Sequence, residues 1–431
     1  MIAEVQTTDS ATTRSLAFLQ TLFKDYHPRD FTVRLWDGTI WPAESDPPRF
    51  TLVLNHPGAL RQMFRETSSD LSIGESYVYN DFDIEGDLEA AFPVADYLAG
   101  LDWSLANKLR LGWDLLHLPK ESDLSRQGRQ AAQMSGEAHS VERDRQAVTY
   151  HYDVSNDFYA LWLDRNMVYS CAYFSQPNDD LDTAQARKLD YICTKLRLRA
   201  GERLLDIGCG WGGLIIHAVR QYGVEALGIT LSQPQADLAN ERIGQARLAD
   251  RCRAEVRDYR QLVEPEGFDK LVSVGRVEHV GEAKLPEYFG QAWRLLRPGG
   301  VFLNHGIACR ATDAVFHGPT FSDRYVFPDG ELVPINVTLR YAEAAGFEVR
   351  DVESLREHYA LTLRHWVRRL EARHEEALQI VDEPTYRVWR LFMSGSAHGF
   401  SVGRLNVYQA LLTKPDYGHS GFPLTRDDWY N

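Results

Sequence analysis

The sequence predicts an α/β fold: a mostly parallel sheet covered by helices, preceded by a smaller N-terminal α+β domain. The main observation is that apolar segments of strand length alternate with amphipathic segments from about residue 200 onward. This alternation is typical of a parallel sheet with helices on both faces. The N-terminal part differs, because residues 31–35 and 50–54 alternate apolar and polar side chains as half-buried strands do. The sequence therefore predicts two domains of different construction.

The alternating region supplies the elements of the main sheet. Strands are predicted at residues 203–207, 224–229, 254–257, 270–274 and 301–304, and helices at 214–221, 233–245 and 285–296. Pro298, Gly299 and Gly300 form a turn before the last of these strands. Beyond residue 337 the periodicity predicts a largely helical segment that covers the sheet.

The N-terminal region and the segment that follows it are read from local composition. A short helix is predicted from Pro57, and a glycine-containing loop at residues 74–79. Residues 119–148 hold few large apolar side chains and bury too little surface to offset their ordering entropy. The predicted organisation is a domain over residues 1–118, a flexible linker over 119–148 and a second domain over 149–431.

Composition and charge restrict the class of protein. The 431 residues carry 47 basic and 61 acidic side chains, a net charge of −14, and no long basic run, so nucleic acid is not an expected partner. No apolar stretch approaches the roughly 20 residues that span a bilayer, and the first residues do not resemble a secretory signal. The five irregularly spaced cysteines predict neither a disulfide framework nor a metal site. A cytoplasmic protein is expected.

A glycine-rich segment after the first strand of the alternating region carries the strongest chemical signal. That strand contains Asp206, and Gly208, Gly210 and Gly212 lead from it into a helix. Glycines let the backbone turn sharply and approach a ligand without a colliding Cβ. The spacing is GxGxG rather than GxGxxG, and an acid is unfavourable beside pyrophosphate. An acid suits the ammonium and sulfonium of S-adenosylmethionine, so the segment predicts a methyltransferase that uses this cofactor.

The second strand ends without the carboxylate that usually binds the ribose hydroxyls in such folds. Thr230, Gln233 and Gln235 are the neutral side chains that are available there to bind the ribose. Asp258, just after the third strand, is a candidate acceptor for the adenine amino group. The alternative for Asp258 is an acid in a surface turn.

Together with these residues, further segments resemble the cyclopropane fatty acid synthase family, which includes the mycolic acid cyclopropane synthases. The resemblance runs from about residue 148 to 410, and its segments lie at residues 150–158, 169–174, 230–235, 277–280, 304–307 and 325–328. It implies a Rossmann-like class I methyltransferase domain with a seven-stranded sheet and a helical cover. Residues 73–77 and 81–83 also resemble the N-terminal domain of bacterial enzymes that act on whole phospholipids, which implies that residues 1–118 engage lipid.

The resemblance also implies a set of site residues. S-adenosylmethionine is the cofactor, S-adenosylhomocysteine the product, and the family holds a bicarbonate ion beside the reacting carbons. The implied cofactor residues, from the methionine end to the adenosine end, are Tyr169, Ser170, Gly208, Gly210, Trp211, Gly212, Thr230 and Gln235. The implied bicarbonate site consists of the backbone of Cys171, the side chains of Glu278, His305 and Tyr359, and Ile307 as a lining residue.

The chemistry of an isolated double bond explains why such residues are needed. An alkene is a weak nucleophile, so the enzyme must hold it in line with an electrophilic methyl group. The resulting carbocation needs a water-free pocket and aromatic faces. Ring closure then needs a general base, which a bicarbonate held by His305, Tyr359 and Glu278 can provide. Cys171 has no neighbouring base in the sequence and is not expected to act as a nucleophile.

Four functions remain open from the sequence. The first is cyclopropanation of a cis double bond in an unsaturated phospholipid acyl chain, which the complete set of bicarbonate ligands favours. The second is methylation of the same bond with loss of a different proton, giving a methylene-branched chain. The third is a lipid-binding or carrier protein with a vestigial methyltransferase domain, and the fourth a methyltransferase that acts on a soluble metabolite.

Arg276 and residues 411–431 depart from the family pattern. Arg276 stands where family members have an apolar residue, so the pocket is expected to differ there, and no role follows for residues 411–431. The expected partner is phospholipid at the inner face of the membrane, with which the protein associates peripherally. The resemblance suggests a homodimer.

Overall fold

The computed structural model describes residues 10–66, 70–101, 112–113, 115–118, 126–152, 154–312 and 320–429. The chain divides into two compact units. The first comprises Met1–Ala131, His317–Tyr325 and Asp382–Gly395, and the second Ala132–Phe316, Val326–Val381 and Ser396–Asn431.

The first unit is built on a four-stranded mixed sheet. Its strands are β1 (Phe31–Arg34), β2 (Ile40–Trp41), β3 (Phe50–Leu54) and β4 (Phe82–Gly86). They lie in the order β2-β1-β3-β4, where β1 and β3 are parallel and the other pairs antiparallel. The helices of this unit are α1 (Ser10–Leu22), α2 (Ala59–Met63), α3 (Leu71–Val78), α4 (Phe92–Ala99) and α11 (Phe321–Tyr325).

Period-two alternation forms the core of this sheet. In β1, Phe31 and Val33 are buried and the residues between and after them are partly exposed. The ring of Phe31 stacks on that of Phe50 in β3, with centroids 5.0 Å apart. Burying an apolar side chain of this size contributes about 1.5–3 kcal/mol. The predicted alternation is present in β1, whereas in β3 Leu52, Val53 and Leu54 are all buried.

Helix α3 occupies the position where a glycine-containing loop is predicted at residues 74–79. The sequence predicts a loop at residues 74–79, but the missing side chain of Gly74 instead allows close packing. A Cβ on Gly74 would lie 2.4 Å from Cδ2 of Phe321 in α11. Tyr77 and Val78 are buried in the same helix. The loop prediction is therefore wrong, because the glycine serves helix contact rather than a turn.

The second unit contains a seven-stranded sheet with helices on both faces. Its strands are β5 (Arg203–Ile207), β6 (Glu225–Thr230), β7 (Cys252–Val256), β8 (Phe268–Val274), β9 (Leu296–Cys309), β10 (Glu348–Ser354) and β11 (Leu405–Thr413). Its helices are α5 (Val141–Tyr152), α6 (Asn156–Trp162), α7 (Leu181–Leu196), α8 (Gly213–Tyr222), α9 (Gln233–Gln245), α10 (Leu285–Leu295), α12 (Ile335–Ala344), α13 (Arg356–Ala372) and α14 (His374–Leu378). Helix α15 (Glu383–Ser401) contributes residues to both units.

The strand order determines which chain segments meet at the edge of the sheet where the parallel strands end. The order is β10-β11-β9-β8-β5-β6-β7, with β5 to β9 parallel and β11 antiparallel to both of its neighbours. The carboxyl ends of the parallel strands share one edge, where ligands bind in open α/β sheets. His305 of β9 pairs in register with Val274 of β8 on one side and with Gln409 of β11 on the other.

Alternate residues of each central strand face two separate apolar cores. Leu204 and Leu303 belong to a core that also contains Ile192 of α7 and Ile215 of α8. Leu205 and Phe302, one position away, belong to a second core that contains residues of α10. Both faces of the sheet are thus covered, as the sequence predicts for a parallel sheet.

The structure differs from the sequence prediction in two stretches of this unit. Strands β10 and β11 lie beyond residue 337, where a largely helical segment is predicted. Helix α5 begins inside the predicted linker 119–148, because Ala147 and Val148 are buried on one side of it. Residues 119–125 of that linker lie outside the described residues. Within the described ranges no helix is both long and apolar enough to cross a membrane.

Candidate active site

The loop between β5 and α8 is held against the neighbouring strand β6. The N–H groups of Gly208 and Cys209 both donate to the carbonyl oxygen of Ile229, at 2.9 and 3.0 Å. Gly208 has a φ of 97°, which favours glycine. On the facing strand, a Cβ on Gly228 would lie 2.7 Å from the Cβ of Cys209. The glycines of the GxGxG segment thus provide backbone without Cβ atoms at the carboxyl edge of the sheet.

A cavity at this edge brings most of the predicted cofactor residues together. Those that line it are Tyr169, Ser170, Asp206, Gly208, Gly210, Trp211, Thr230, Gln235 and Asp258. Two predicted residues lie elsewhere. A Cβ on Gly212 would lie 3.1 Å from the Cβ of Ala239 in α9, so Gly212 allows helix packing. Gln233 is exposed and donates to Asp237 at 2.8 Å.

Asp206 is a buried carboxylate on the cavity wall. Its Oδ1 has no hydrogen-bond partner among the residues that the structure describes. Burial raises the pKa of Asp206 to about 7, and Lys188 acts in the opposite direction. A buried polar atom without a partner is costly. The carboxylate therefore suits a ligand that carries an ammonium group, as the methionine end of S-adenosylmethionine does.

The methionine end of the predicted site is supported from helix α7. Gln185 donates to the carbonyl oxygen of Ser170 at 2.8 Å, and Nζ of Lys188 donates to Oγ of Ser170 at 2.8 Å. Lys188 is buried and lines the cavity, although it belongs to no sequence motif. Burial lowers its pKa to about 8, and Asp164, Cys171 and Asp206 oppose this. Lys188 therefore positions Ser170 and balances the charge of Asp206.

The adenosine end is organised by side chains that bond to one another. Thr230 donates to Oε1 of Gln235 at 2.7 Å. The amide NH2 of Gln235, a residue that lines the cavity, then remains as a donor. Arg260 donates to both carboxylate oxygens of Asp258, at 2.9 and 2.7 Å. Burial alone would raise the pKa of Asp258, but the bonds from Arg260 outweigh it and hold the pKa below its usual value. Asp258 is thus an ionised acceptor in a fixed orientation.

Glu278 and His305 are two further buried polar side chains, outside the lining of the cavity. Glu278 lies in a 3₁₀ turn, Val277–His279, after β8, and its Oε1 accepts from the N–H of Ile307 at 2.7 Å. Its Oε2 has no hydrogen-bond partner among the described residues, and neither has Nε2 of His305. Burial raises the pKa of Glu278 to about 7. Burial, with Lys188 and Lys195 nearby, lowers the pKa of His305 to about 3.

Tyr359 and Cys171 also belong to the predicted bicarbonate site. The hydroxyl of Tyr359 is enclosed, and burial followed by the nearby Cys171 and Glu278 raises its pKa well above the ordinary value. The Cys171 thiol donates to the carbonyl oxygens of Ala172 and Leu355, at 3.3 and 3.6 Å, and burial raises its pKa strongly. Such a thiol is not a nucleophile at neutral pH, in line with the expectation from the sequence.

Aromatic rings surround Tyr169, which lines the cavity. Its ring centroid lies 6.2 Å from that of Tyr152, 5.5 Å from Trp162 and 5.2 Å from Trp366. Trp366 in turn lies 6.0 Å from Tyr359. Ring faces attract positive charge without bonding to it. The arrangement can therefore exclude water and tolerate a cation.

Arg276, the departure noted in the sequence, lines the cavity beside the glycine-rich loop. A Cβ on Gly208 would lie 3.5 Å from the Cβ of Arg276. The guanidinium is buried, with Nη2 4.0 Å from Asp144 and Cζ 5.8 Å from the ring centroid of Tyr259. Asp144 of α5 therefore balances a charge that would otherwise need solvent.

The strand order, the glycine-rich loop with its buried acid and the cavity above it define a class I methyltransferase that depends on S-adenosylmethionine. The profile of the family described as mycolic acid cyclopropane synthetase matches residues 139–410. Residues 18–96 match a domain of unknown function. The chain belongs to the mycolic acid cyclopropane synthetase family.

Relatives with known names agree with this assignment. A probable fatty acid methyltransferase of Pseudomonas putida is 40% identical over 402 residues, which are 92% of this chain and 95% of the relative. Cyclopropane mycolic acid synthase 1 of Mycobacterium tuberculosis is 36% identical over 280 residues, 62% of this chain and 96% of the relative. The crystal structure of mycolic acid cyclopropane synthase CmaA1 with SAH and CTAB has a TM-score of 0.58 at 34% identity, covering 62% of this chain and 97% of that one. The predicted fold class and family are confirmed.

Proposed function

We propose that the chain transfers a methyl(ene) group from S-adenosylmethionine to a cis double bond of an unsaturated phospholipid acyl chain, forming a cyclopropane ring with bicarbonate as the base. The observation that carries the proposal is that two buried atoms, Oε2 of Glu278 and Nε2 of His305, each lack a partner among the described residues. Each such atom costs about 1–3 kcal/mol when it is unpaired. A small ligand that pairs with both offsets this cost.

The chemistry of the two groups fits an anion that carries one hydroxyl. Glu278, fixed by the N–H of Ile307, offers an acceptor for the hydroxyl. His305 offers a ring nitrogen, and the enclosed Tyr359 hydroxyl lies near Glu278. Bicarbonate has this pattern of donor and acceptors, and when bound it supplies a general base. The family resemblance implies that the backbone of Cys171 also contacts the anion and that Ile307 lines the same space.

The remaining residues hold the two reactants and protect a cation. When bound, S-adenosylmethionine supplies an electrophilic methyl group. Asp206 attracts its ammonium, and the Ser170–Lys188 pair fixes the chain segment beside it. The rings around Tyr169 exclude water and stabilise positive charge on the acyl chain by roughly 0.5–2 kcal/mol each. These roles are those that an alkene substrate requires.

A second candidate function has its own support. The Pseudomonas putida relative, which aligns with 92% of this chain, is named a probable fatty acid methyltransferase rather than a cyclopropane synthase. Methylation of the same double bond, a 1,2-hydride shift that moves the cation to the carbon bearing the new methyl group, and loss of a proton from that methyl group give a methylene-branched chain. Both products arise from one cation, and the position of the base decides between them.

We also propose that the first unit brings the protein to the inner face of the membrane. Trp113 and Leu116 lie three positions apart and are each 65% exposed. Leu115 and Leu118, in the same segment, pack on the core of the unit. The segment is therefore attached to the core by one apolar side and exposes a second apolar side. A tryptophan ring favours the boundary between the lipid headgroups and the acyl chains. This surface supports phospholipid as the substrate class.

The decisive experiment incubates the purified protein with S-adenosylmethionine, bicarbonate and vesicles of a monounsaturated phospholipid. Proton NMR of the extracted acyl chains should show high-field cyclopropyl signals, and the isosteric Glu278→Gln protein serves as the matched control. Exocyclic methylene signals would instead support the second candidate. If the protein binds S-adenosylhomocysteine but the acyl chains do not change, both candidate functions are contradicted. Methylation of a soluble acceptor and a lipid carrier role would then remain.

A further inference from the structure

A line of buried polar groups runs from His305 to helix α7. Nζ of Lys195 donates to Oε1 of Gln409 at 2.9 Å, and Nε2 of Gln409 lies 3.2 Å from Nδ1 of His305. All three side chains are buried. Gln409 stands opposite His305 in the β11–β9 pairing, so the two strands fix this contact.

The chemistry of Lys195 sets the orientation of the Gln409 amide. A lysine ammonium has donors only, and Glu353 accepts from it, with Asp351 at 3.9 Å. Burial lowers the pKa of Lys195, and the Glu353 carboxylate opposes this. The Gln409 carbonyl must therefore face Lys195, and its NH2 group must face His305.

An NH2 group can only donate, so Nδ1 of His305 must be an acceptor. The ring proton then sits on Nε2, the atom without a partner among the described residues. We propose that Lys195 and Gln409 are positioning residues that hold His305 as the neutral Nε2–H tautomer, so that it donates to the bound anion. This inference rests on the proposed function, since it names what orients one group of that site.

The tautomer makes the two sides of the site complementary. Glu278 Oε2 accepts and His305 Nε2 donates, so a bicarbonate ion fits with its hydroxyl toward Glu278 and an anionic oxygen toward His305. The reverse tautomer would place two acceptors on the anion and weaken its binding. The low pKa of His305, caused by burial and by Lys188 and Lys195, keeps the ring neutral.

The C-terminal part of the chain shields Lys195. Nζ lies 5.5 Å from the ring centroid of Trp429, which is buried, and 4.5 Å from that of Tyr191. The Tyr191 hydroxyl donates to Glu353 at 3.0 Å. Hydrogen bonds are stronger where water is excluded. Trp429, in the segment 411–431 for which the sequence gives no role, thus contributes to the enclosure of this line.

The test reads the tautomer by ¹⁵N NMR of histidine-labelled protein without substrate, with the His305 signals assigned by their loss in His305→Ala. The inference expects Nε2 protonated and Nδ1 unprotonated. A protonated Nδ1 in the wild-type protein would overturn it. Because this reading needs no turnover, an inactive protein with the Nε2–H tautomer would count against the proposed function alone.

The isosteric change Gln409→Glu replaces the donor by a carboxylate. The expected result is a protonated Nδ1 and a KM for bicarbonate that rises about 10- to 100-fold, while the Kd of S-adenosylhomocysteine stays within about twofold. Gln379→Glu, the same change at an exposed position, is the matched control and should alter neither quantity. An unprotonated Nδ1 or an unchanged bicarbonate KM in Gln409→Glu would overturn the role of Gln409.

Discussion

Asp206, Glu278 and His305 are buried ionisable groups whose surroundings favour their neutral forms. Burial raises the pKa of both carboxyl groups to about 7 and lowers that of His305 to about 3. Such shifts are typical of functional sites, because a ligand of complementary charge then changes the ionisation of the group that binds it. Each residue can therefore be tested by a substitution that removes its ionisable group.

Glu278→Gln and His305→Ala are expected to reduce turnover by about 10²- to 10⁴-fold, the range for groups that act on a proton-transfer step. Neither residue lines the cofactor cavity, so the Kd of S-adenosylhomocysteine, measured by calorimetry, should stay nearly unchanged. An equal loss of cofactor affinity in both variants would contradict this assignment.

Asp206 should make cofactor affinity depend on pH. Its carboxyl group is protonated below about 7 and ionised above it, and only the ionised form attracts the ammonium of S-adenosylhomocysteine. The Kd should therefore fall about tenfold as the pH rises from about 6 to about 8. Calorimetric titrations of wild-type protein and Asp206→Asn test this. A slope of the same size in Asp206→Asn would assign the pH dependence to another group.

At the scale of elements, the contact between β6 and the glycine-rich loop governs the shape of the cofactor site. Gly228→Ala would place a Cβ 2.7 Å from Cys209 and 2.9 Å from Ile215. We expect a loss of about 1–3 kcal/mol in the free energy of unfolding and a Kd for S-adenosylhomocysteine raised about tenfold. Urea unfolding and calorimetry measure the two effects.

Gly244→Ala in α9 is the control for this prediction, because a Cβ there meets no atom within 4 Å. It should stabilise the protein by about 0.5–1 kcal/mol, the usual gain of alanine over glycine in a helix. Equal behaviour of the two variants would show that the contact of Gly228 with the loop has no special weight.

The elements that the sequence predicts well are those with local signals. Strand 203–207 and helix 233–245 match β5 and α9 residue for residue, since an apolar run and a Ser-capped, Pro-containing start define them. The strands β10 and β11 were missed. β10 is an edge strand whose side chains are mostly half-exposed, and the partner of β11 is β9, about 100 residues earlier. Because the strands that pair are so far apart in the sequence, no local periodicity marks them as strands.

The same limit applies to the site. Motif residues such as Asp206 and Ser170 could be named from the sequence, but Lys188, Lys195 and Gln409 belong to no motif. A signal for the lysines exists: they lie seven residues apart on the face of α7 that buries Leu189 and Ile192. A charged residue on an apolar stripe indicates a buried partner. Gln409 has no such signal, because its role depends on the register of β11 and β9.

At the scale of the whole molecule, net charge and exposed apolar residues together define the expected mode of membrane contact. A chain of net charge −14 gains nothing from anionic lipid overall. The proposed contact through Trp113 and Leu116 is apolar, so its strength should not fall as salt rises.

Joint replacement of Trp113 and Leu116 by alanine should weaken vesicle binding by about tenfold or more, measured by co-sedimentation at low and high salt. Leu424→Ala, at a fully exposed position, is the control. Binding that persists in the double variant, or that disappears at high salt, would show that another surface or a basic patch makes the contact.

The position of β11 in the sheet has a consequence for biosynthesis. This strand separates β9 from β10, yet it is the last of the seven to leave the ribosome, about 200 residues after β5. At roughly 5–20 residues per second, the cofactor loop waits about 10–40 s for it. During that interval β10 has no neighbour to pair with and His305 lacks the amide of Gln409. In a nascent chain, the contact that orients His305 is therefore completed last, after the other strands of the sheet have been synthesised.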